Sequence, residues 1–186
     1  MHISLQHPQM KIHYELLQKW RNSMDLVGPN DIEEHFIDAY HITNNINATG
    51  NWADLGSGAG FPGIAFAIFN PNTQVTLVES RQKRAIFLRR IVATAKINNA
   101  TIYHGRSEDL KNHSFQGIMS RAYKNPNAYL EDANRLLQDT GIALLLLGTE
   151  AHYIPPHPFS IQEERAYTLS DKTRKIQVLK KNSNTV

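Results

Sequence analysis

Asp54-Leu55-Gly56-Ser57-Gly58-Ala59-Gly60-Phe61-Pro62-Gly63 constrains this chain more than any other stretch. A short, partly apolar segment, Asn51 to Leu55, runs into the glycines and predicts a strand. Phe61 to Phe69, with Pro62 near its first turn, predicts a helix on the far side. That context separates a nucleotide-binding turn from a chance run of glycines. Glycine allows positive φ and lets a ligand approach with no Cβ in the way. The N–H groups opening the following helix can meet a polar ligand group.

The rest of the chain arranges itself around that turn. Ile12, Leu16, Leu17 and Trp20 fall at helical spacing over Met10 to Trp20. Asp31 is a plausible N-cap for a second helix carrying Ile32, Phe36, Ile37, Tyr40 and Ile46, with Glu34 completing a capping pattern. Strands are predicted at 74–79, 101–104, 115–120 and 142–147, and helices at 81–97 and 126–137. Thr140-Gly141 reads as a turn, and three of the eight prolines lie within 148–158, which disfavours a long helix there. Segments 161–168 and 176–179 alternate apolar and polar, as a terminal antiparallel pair would, and Lys180 to Val186 reads as a frayed tail. Strands alternating with helices predict an α/β fold whose mostly parallel sheet is covered on both faces. A length of 186 residues fits one domain, with 1–49 as an N-terminal helical extension and 50–180 as the α/β core.

Two carboxylates attach chemistry to the turn. Asp54 closes the first strand, where it could meet a ligand ammonium directly or through water. Glu79 closes the second strand, beside the turn in such a sheet, where a carboxylate accepts from both hydroxyls of a ribose. After the third strand, Ser107-Glu108-Asp109 either reaches an adenine edge or caps a helix, and the local residues do not choose between these. The stretch also holds Gly58-x-Gly60-x-x-Gly63, the form of a dinucleotide fingerprint, so a nicotinamide-dependent oxidoreductase is the natural rival. Against it, the acid precedes the glycines, which suits an ammonium better than a pyrophosphate, and no separate substrate domain is visible.

Composition removes other classes. The chain has no cysteine, so disulfides, thiolate nucleophiles and zinc–thiolate sites are excluded, and a reducing compartment is expected. The nine histidines include no pair at metal-binding spacing, so no metal is expected. Met1 to Pro8 lacks the basic and apolar segments of a signal peptide, and the longest aliphatic run, Ile142 to Leu147, is too short to cross a bilayer. The net charge of +3 is compatible with an acidic partner such as RNA.

With these pieces in order, the chain resembles the glucose-inhibited division protein B family of 16S ribosomal RNA guanine-N7 methyltransferases. The resemblance runs from about Leu16 to Leu179, and the glycine stretch ending in Phe61-Pro62-Gly63 is its most specific part. Val78-Glu79-Ser80, Gly105-Arg106-Ser107-Glu108, Ser120-Arg121-Ala122 and His35-Phe36-Ile37-Asp38 support it. It implies a Rossmann-like class I methyltransferase fold with a seven-stranded sheet, cytoplasmic, binding S-adenosyl-L-methionine and acting on 16S ribosomal RNA or the small ribosomal subunit. By it, Gly56, Phe61, Ser107, Glu108 and Arg121 contact the cofactor; Asp54, Gly58, Gly60 and Glu79 join them on the chemistry above. Leu147-Gly148 stands where relatives carry Lys-Gly, and Asp25-Leu26-Val27 where they carry Asn-Leu-Thr.

Guanine N7 has an exposed lone pair and no proton to lose, so its methylation needs alignment more than a general base. Arg121, at the end of the fourth strand, would face cofactor and base, with Arg106 a weaker candidate. His35 could contact RNA or cofactor, although a lone helical histidine more often packs. Lys83-Arg84 with Arg89-Arg90, and Lys172-Arg174-Lys175 with Lys180-Lys181, are the basic sets available to RNA. A non-catalytic, methyltransferase-like binding module stays open beside the enzyme readings.

Overall fold

A computed structural model describes residues 3–24, 32–44, 46–110, 114–148 and 153–183. The expected N-cap Asp31 and the Asp25-Leu26-Val27 stretch lie outside them. Helices α1 (Ile3–Gln6), α2 (Pro8–Met24) and α3 (Ile32–Thr43) precede the first strand. There follow β1 (Gly50–Leu55), α4 (Gly63–Phe69), β2 (Thr73–Glu79), α5 (Gln82–Thr94), β3 (Ala100–His104) and a 3₁₀ turn over Ser107–Asp109. β4 (Phe115–Met119), α6 (Pro126–Leu136), β5 (Leu137–Leu147), β6 (Phe159–Leu169) and β7 (Lys172–Lys181) complete the order. The seven strands form one sheet in the order β3-β2-β1-β4-β5-β7-β6. All neighbours are parallel except β7, which runs antiparallel to both β5 and β6.

Alternation along the strands sends side chains to two cores, as the two-residue period of a strand requires. Trp52, Val75, Leu77 and Leu144 face one core; Ala53, Leu55, Val78, Ala143 and Leu145 face the other. The first core is closed by residues of α2, α3, α4 and α5, including Leu17, Phe36, Phe66 and Phe87. The second is closed by α6 through Tyr129, Leu130, Ala133 and Leu136. Asn125 caps α6 by accepting from the Ala128 N–H at 3.0 Å, and Pro126 follows it. The Trp52 indole fits because its register partner on β4 is Gly117, where an added Cβ would lie 2.3 Å from the ring.

Several boundaries differ from expectation. α4 begins at Gly63 rather than Phe61, because the turn continues until the Gly63 N–H meets the Asp54 carboxylate. The turn expected at Thr140-Gly141 lies inside β5, where Thr140 takes φ +63° and register jumps from Phe115–Leu137 to Gly117–Ile142. Lys180 and Lys181 are not frayed: both belong to β7, and Lys181 Nζ donates to the carbonyls of Asn134 and Leu137. The terminal hairpin is also longer than its alternating segments suggested, because β7 must match the full reach of β5 and β6. Among the described residues no helix is long and apolar enough to cross a membrane.

Candidate active site

The cleft lies at the C-terminal ends of the paired parallel strands β1 and β4, between the residues that follow them, Gly56 and Arg121. This is where the strand order reverses, and open α/β sheets bind ligands at such a crevice. Gly56 and Ser57 both donate to the Val78 carbonyl, at 2.9 and 3.0 Å, so the turn is stitched to β2 as it leaves β1. Gly56, Gly58 and Gly60 all take positive φ. At Gly60 (φ +98°) a Cβ would also meet Ile64 at 2.7 Å, so both conformation and packing demand glycine.

The two strand-end acids are held by this backbone. Glu79 is buried; its Oε2 accepts from Gly58 N–H at 2.9 Å and its Oε1 from Arg81 N–H at 2.7 Å. Each oxygen keeps a second lone pair for another donor. Asp54 is fully buried, and its Oδ2 accepts from Gly63 N–H at 3.0 Å, while Oδ1 has no partner. Burial pushes its carboxyl up to about 7.

Two recesses meet at Gly56. The smaller, about 170 Å³, is lined by Gly56, Val78, Ser80, Arg106, Ser107 and Glu108, among others. Ser107 occupies the first position of its 3₁₀ turn rather than the cap, which falls to Arg106. Its hydroxyl touches Tyr123 and Glu108, and Arg135 donates to its carbonyl at 2.8 Å. Lys124 bridges Glu108 and the buried Asp132 at 2.8 and 2.7 Å. Its hydrogen bond holds the Glu108 carboxyl down at about 2.

The larger recess, about 450 Å³, is lined by Gly56, Gly58, Phe61 and Arg121 on one side. Glu34, His35 and Asp38 from α3, Arg84 from α5, Leu147 from β5, Tyr167 from β6 and Arg174 from β7 also line it. Phe61 anchors the turn to the N-terminal helices. Its ring stacks on His13 at 4.9 Å and on His35 at 5.8 Å, and meets the edge of Phe36 at 4.9 Å. The Arg121 guanidinium lies 4.8 Å from its centroid. His13 Nε2 lies 2.8 Å from the Ala59 carbonyl, which can only accept, so that nitrogen carries the proton. Burial lowers both His13 and His35 to about 4, with the Arg121 charge adding to the effect on each. Arg121 pairs with Asp38 at 3.1 Å, and the other Asp38 oxygen accepts from Tyr167 at 2.6 Å.

The expected site residues therefore divide. Gly56, Gly58, Phe61, Ser107, Glu108 and Arg121 line the two recesses, whereas Asp54 and Glu79 support the turn from beneath. Gly60 faces Ile64 and His13 and lines neither recess. Sequence reasoning missed His13, Tyr123 and Tyr167 and gave Asp38 no role. His35 and Asp38 stand three apart on α3, and that shared face was the available signal. Among the described residues no three His, Cys, Asp or Glu side chains could hold a metal ion.

This topology and cleft define a class I methyltransferase fold. An O-methyltransferase from Bacillus cereus, solved in complex with SAH, superposes with a TM-score of 0.66 over 92% of this chain and 91% of its own, at 15% identity. TYW2 of M. jannaschii, solved in complex with AdoMet, gives 0.66 over 81% and 77%, at 11% identity. The chain belongs to the GidB family, rRNA small subunit methyltransferase G, whose model matches residues 6–183. Ribosomal RNA small subunit methyltransferase G of Pseudomonas putida is 31% identical over 88% of this chain and 80% of its own length. The Paracoccus denitrificans protein of that name is 30% identical over 80% and 79%.

Proposed function

We propose that this protein transfers a methyl group from S-adenosylmethionine to N7 of a guanine in 16S ribosomal RNA, within the small subunit or its precursor. The observation that carries the reading is the pair of recesses meeting at Gly56, with Ser107 and Glu108 in one and the Arg121 guanidinium in the other. Family membership supplies the substrate class. The residues fit the cofactor: Glu79 keeps lone pairs for the ribose hydroxyls, Ser107 and Glu108 border the space for the adenine, and the buried Asp54 leaves an unpartnered oxygen beneath the turn. A single chain unit, with 1–49 as an extension of the core, belongs to the same reading. So does a cytoplasmic location, where ribosomal RNA is modified.

When bound, the cofactor would supply a sulfonium methyl for N7 to take up, leaving a neutral thioether. No proton leaves, so no base is needed. The protein's work is alignment and charge placement. Arg121 is fixed by Asp38 and by the Phe61 ring, leaving its remaining N–H groups for guanine O6. His35, held neutral, adds no second positive charge where N7 becomes cationic.

Against a nicotinamide enzyme stands the reversed β7 between β5 and β6, which the six-stranded dinucleotide order lacks. Calorimetric titration with S-adenosylhomocysteine and with NADH, and incubation with labelled S-adenosylmethionine and small subunits lacking the modification, test the proposal. The expected result is S-adenosylhomocysteine binding without NADH binding, and label at a guanine N7. Cofactor binding with no transfer to subunits would leave only a binding module.

A further inference from the structure

The β6–β7 hairpin carries a cation with no ion-pair partner among the described residues. Three neighbouring cations are paired: Lys175 with Glu164 at 3.3 Å, Arg165 with Glu163 at 2.9 Å, and Arg121 with Asp38 at 3.1 Å. Arg174 lines the larger recess opposite Tyr167 in the hairpin register. Among the described residues it forms no ion pair, and its Nε is buried without a hydrogen-bond partner. Neither carboxylate in the same recess, Glu34 or Asp38, pairs with Arg174. Asp38 holds Arg121 with one oxygen and Tyr167 with the other, and Glu34 accepts from Ser170. A guanidinium cannot shed its charge. Leaving one half-buried and unmatched is unfavourable until an anion arrives.

Position decides which anion. β7 stands three strands from β1 in the order β1-β4-β5-β7. At ~4.8 Å per strand, that is roughly 14 Å across the sheet. A cofactor whose sugar sits at Glu79, on the opposite side of β1, has its amino-acid portion at the glycine turn, across the shared recess from the β7 wall that carries Arg174. The guanine itself carries no negative charge. A guanidinium fork on its O6/N7 edge would also occupy the nitrogen that must attack. The remaining anion is the backbone of the nucleic acid, which a guanidinium grips through two oxygens at once. We propose that Arg174 seats a phosphodiester of the RNA substrate beside the nucleotide in the cleft. This rests on the RNA-methyltransferase reading above.

The test is equilibrium binding to labelled small ribosomal subunits between 50 and 200 mM salt, run beside calorimetry with S-adenosylhomocysteine. R174Q should raise half-saturation on subunits about tenfold. It should lower the slope of log affinity against log salt by about 0.7–0.9, one phosphate's worth. Affinity for S-adenosylhomocysteine should stay within twofold. R174K should restore the slope but not the full affinity, because an ammonium lacks the fork. If R174Q does not fold, R174K still decides, with an expected threefold loss at unchanged slope; wild-type affinity would overturn the assignment. So would an unchanged slope in folded R174Q. A tenfold loss for S-adenosylhomocysteine with normal subunit binding would move the anion to the cofactor's carboxylate. Wild-type binding to subunits without methyl transfer would sink the catalytic reading while leaving Arg174's binding role measurable.

Discussion

The two walls of the larger recess are built in opposite ways. One wall, Gly56 to Phe61, comes from a single contiguous motif and is fixed chiefly by backbone hydrogen bonds to β2, Asp54 and Glu79. The other is assembled from α3, β6 and β7 and is fixed by side chains, through Asp38, Arg121 and Tyr167. A wall made of backbone depends on what is absent, namely Cβ atoms. A wall made of side chains depends on polar groups that meet only after distant segments fold together. Damage to the first should therefore appear in stability and cofactor affinity, and damage to the second in methyl transfer.

The largest expected effect is at Gly63. A Cβ there would lie 2.4 Å from Leu77 Cδ2 and 2.5 Å from Asp54 Oδ2, both in fully buried side chains. Overpacking of this kind typically costs ~1–3 kcal/mol, and G63A also strains the Asp54 contact that opens α4, so the upper end applies. Thermal unfolding should show a fall of roughly 10 °C. An unchanged melting temperature would mean the turn is not packed as described. Next comes Glu79. E79A removes the acceptor beneath Gly58 and any ribose contact, so affinity for S-adenosylhomocysteine should fall by about 2 kcal/mol, or roughly thirtyfold. Full affinity in calorimetry would show that the motif wall binds without its acid.

This contrast also explains what the sequence could reveal. The glycine motif, the strand-end Glu79 and the alternation of β1 and β2 were readable because each is local. Spacing alone reports them. The antiparallel β7 was partly readable from its alternation, but its insertion between β5 and β6 was not. Neither was the pairing of Asp38 with Arg121, which are 83 positions apart, nor its bond to Tyr167, 129 positions away. His13 looked like one more residue of an amphipathic helix. Only folding brings it under Ala59 and Phe61, 46 positions on in the first case.

The junction between motif and extension can be tested by pH. His13 falls from the ordinary histidine value to about 4 in the folded chain, so the unfolded chain binds more protons between pH 6.5 and 4. Its contribution is full above pH 6.5 and lost as pH falls. Asp54 is raised to about 7, so the folded chain binds more protons between 3.8 and 7, and its contribution grows on acidification. The two slopes oppose each other. H13Q should remove the first: its stability deficit against wild type should shrink by about 1 kcal/mol from pH 7 to pH 5.5. The deficit of D54N should widen over the same range. Parallel shifts in denaturant midpoints for both variants would refute opposite protonation of the two buried groups.

The smallest expected effect isolates the side-chain wall. Y167F removes one hydroxyl, which donates to Asp38 at 2.6 Å and touches no part of the motif wall. Asp38 keeps its pair with Arg121, so the guanidinium stays in the recess but is held less firmly. A single hydrogen bond of this type contributes about 0.5–1.5 kcal/mol, and the low end applies because the ion pair persists. Single-turnover methylation of small subunits should slow roughly threefold, with affinity for S-adenosylhomocysteine unchanged. If the hydroxyl were merely structural, loss would appear in melting temperature and leave the single-turnover rate of the folded enzyme intact. If S-adenosylhomocysteine affinity fell as well, the two walls would be one mechanical unit, and the division between a cofactor wall and a target wall would fail.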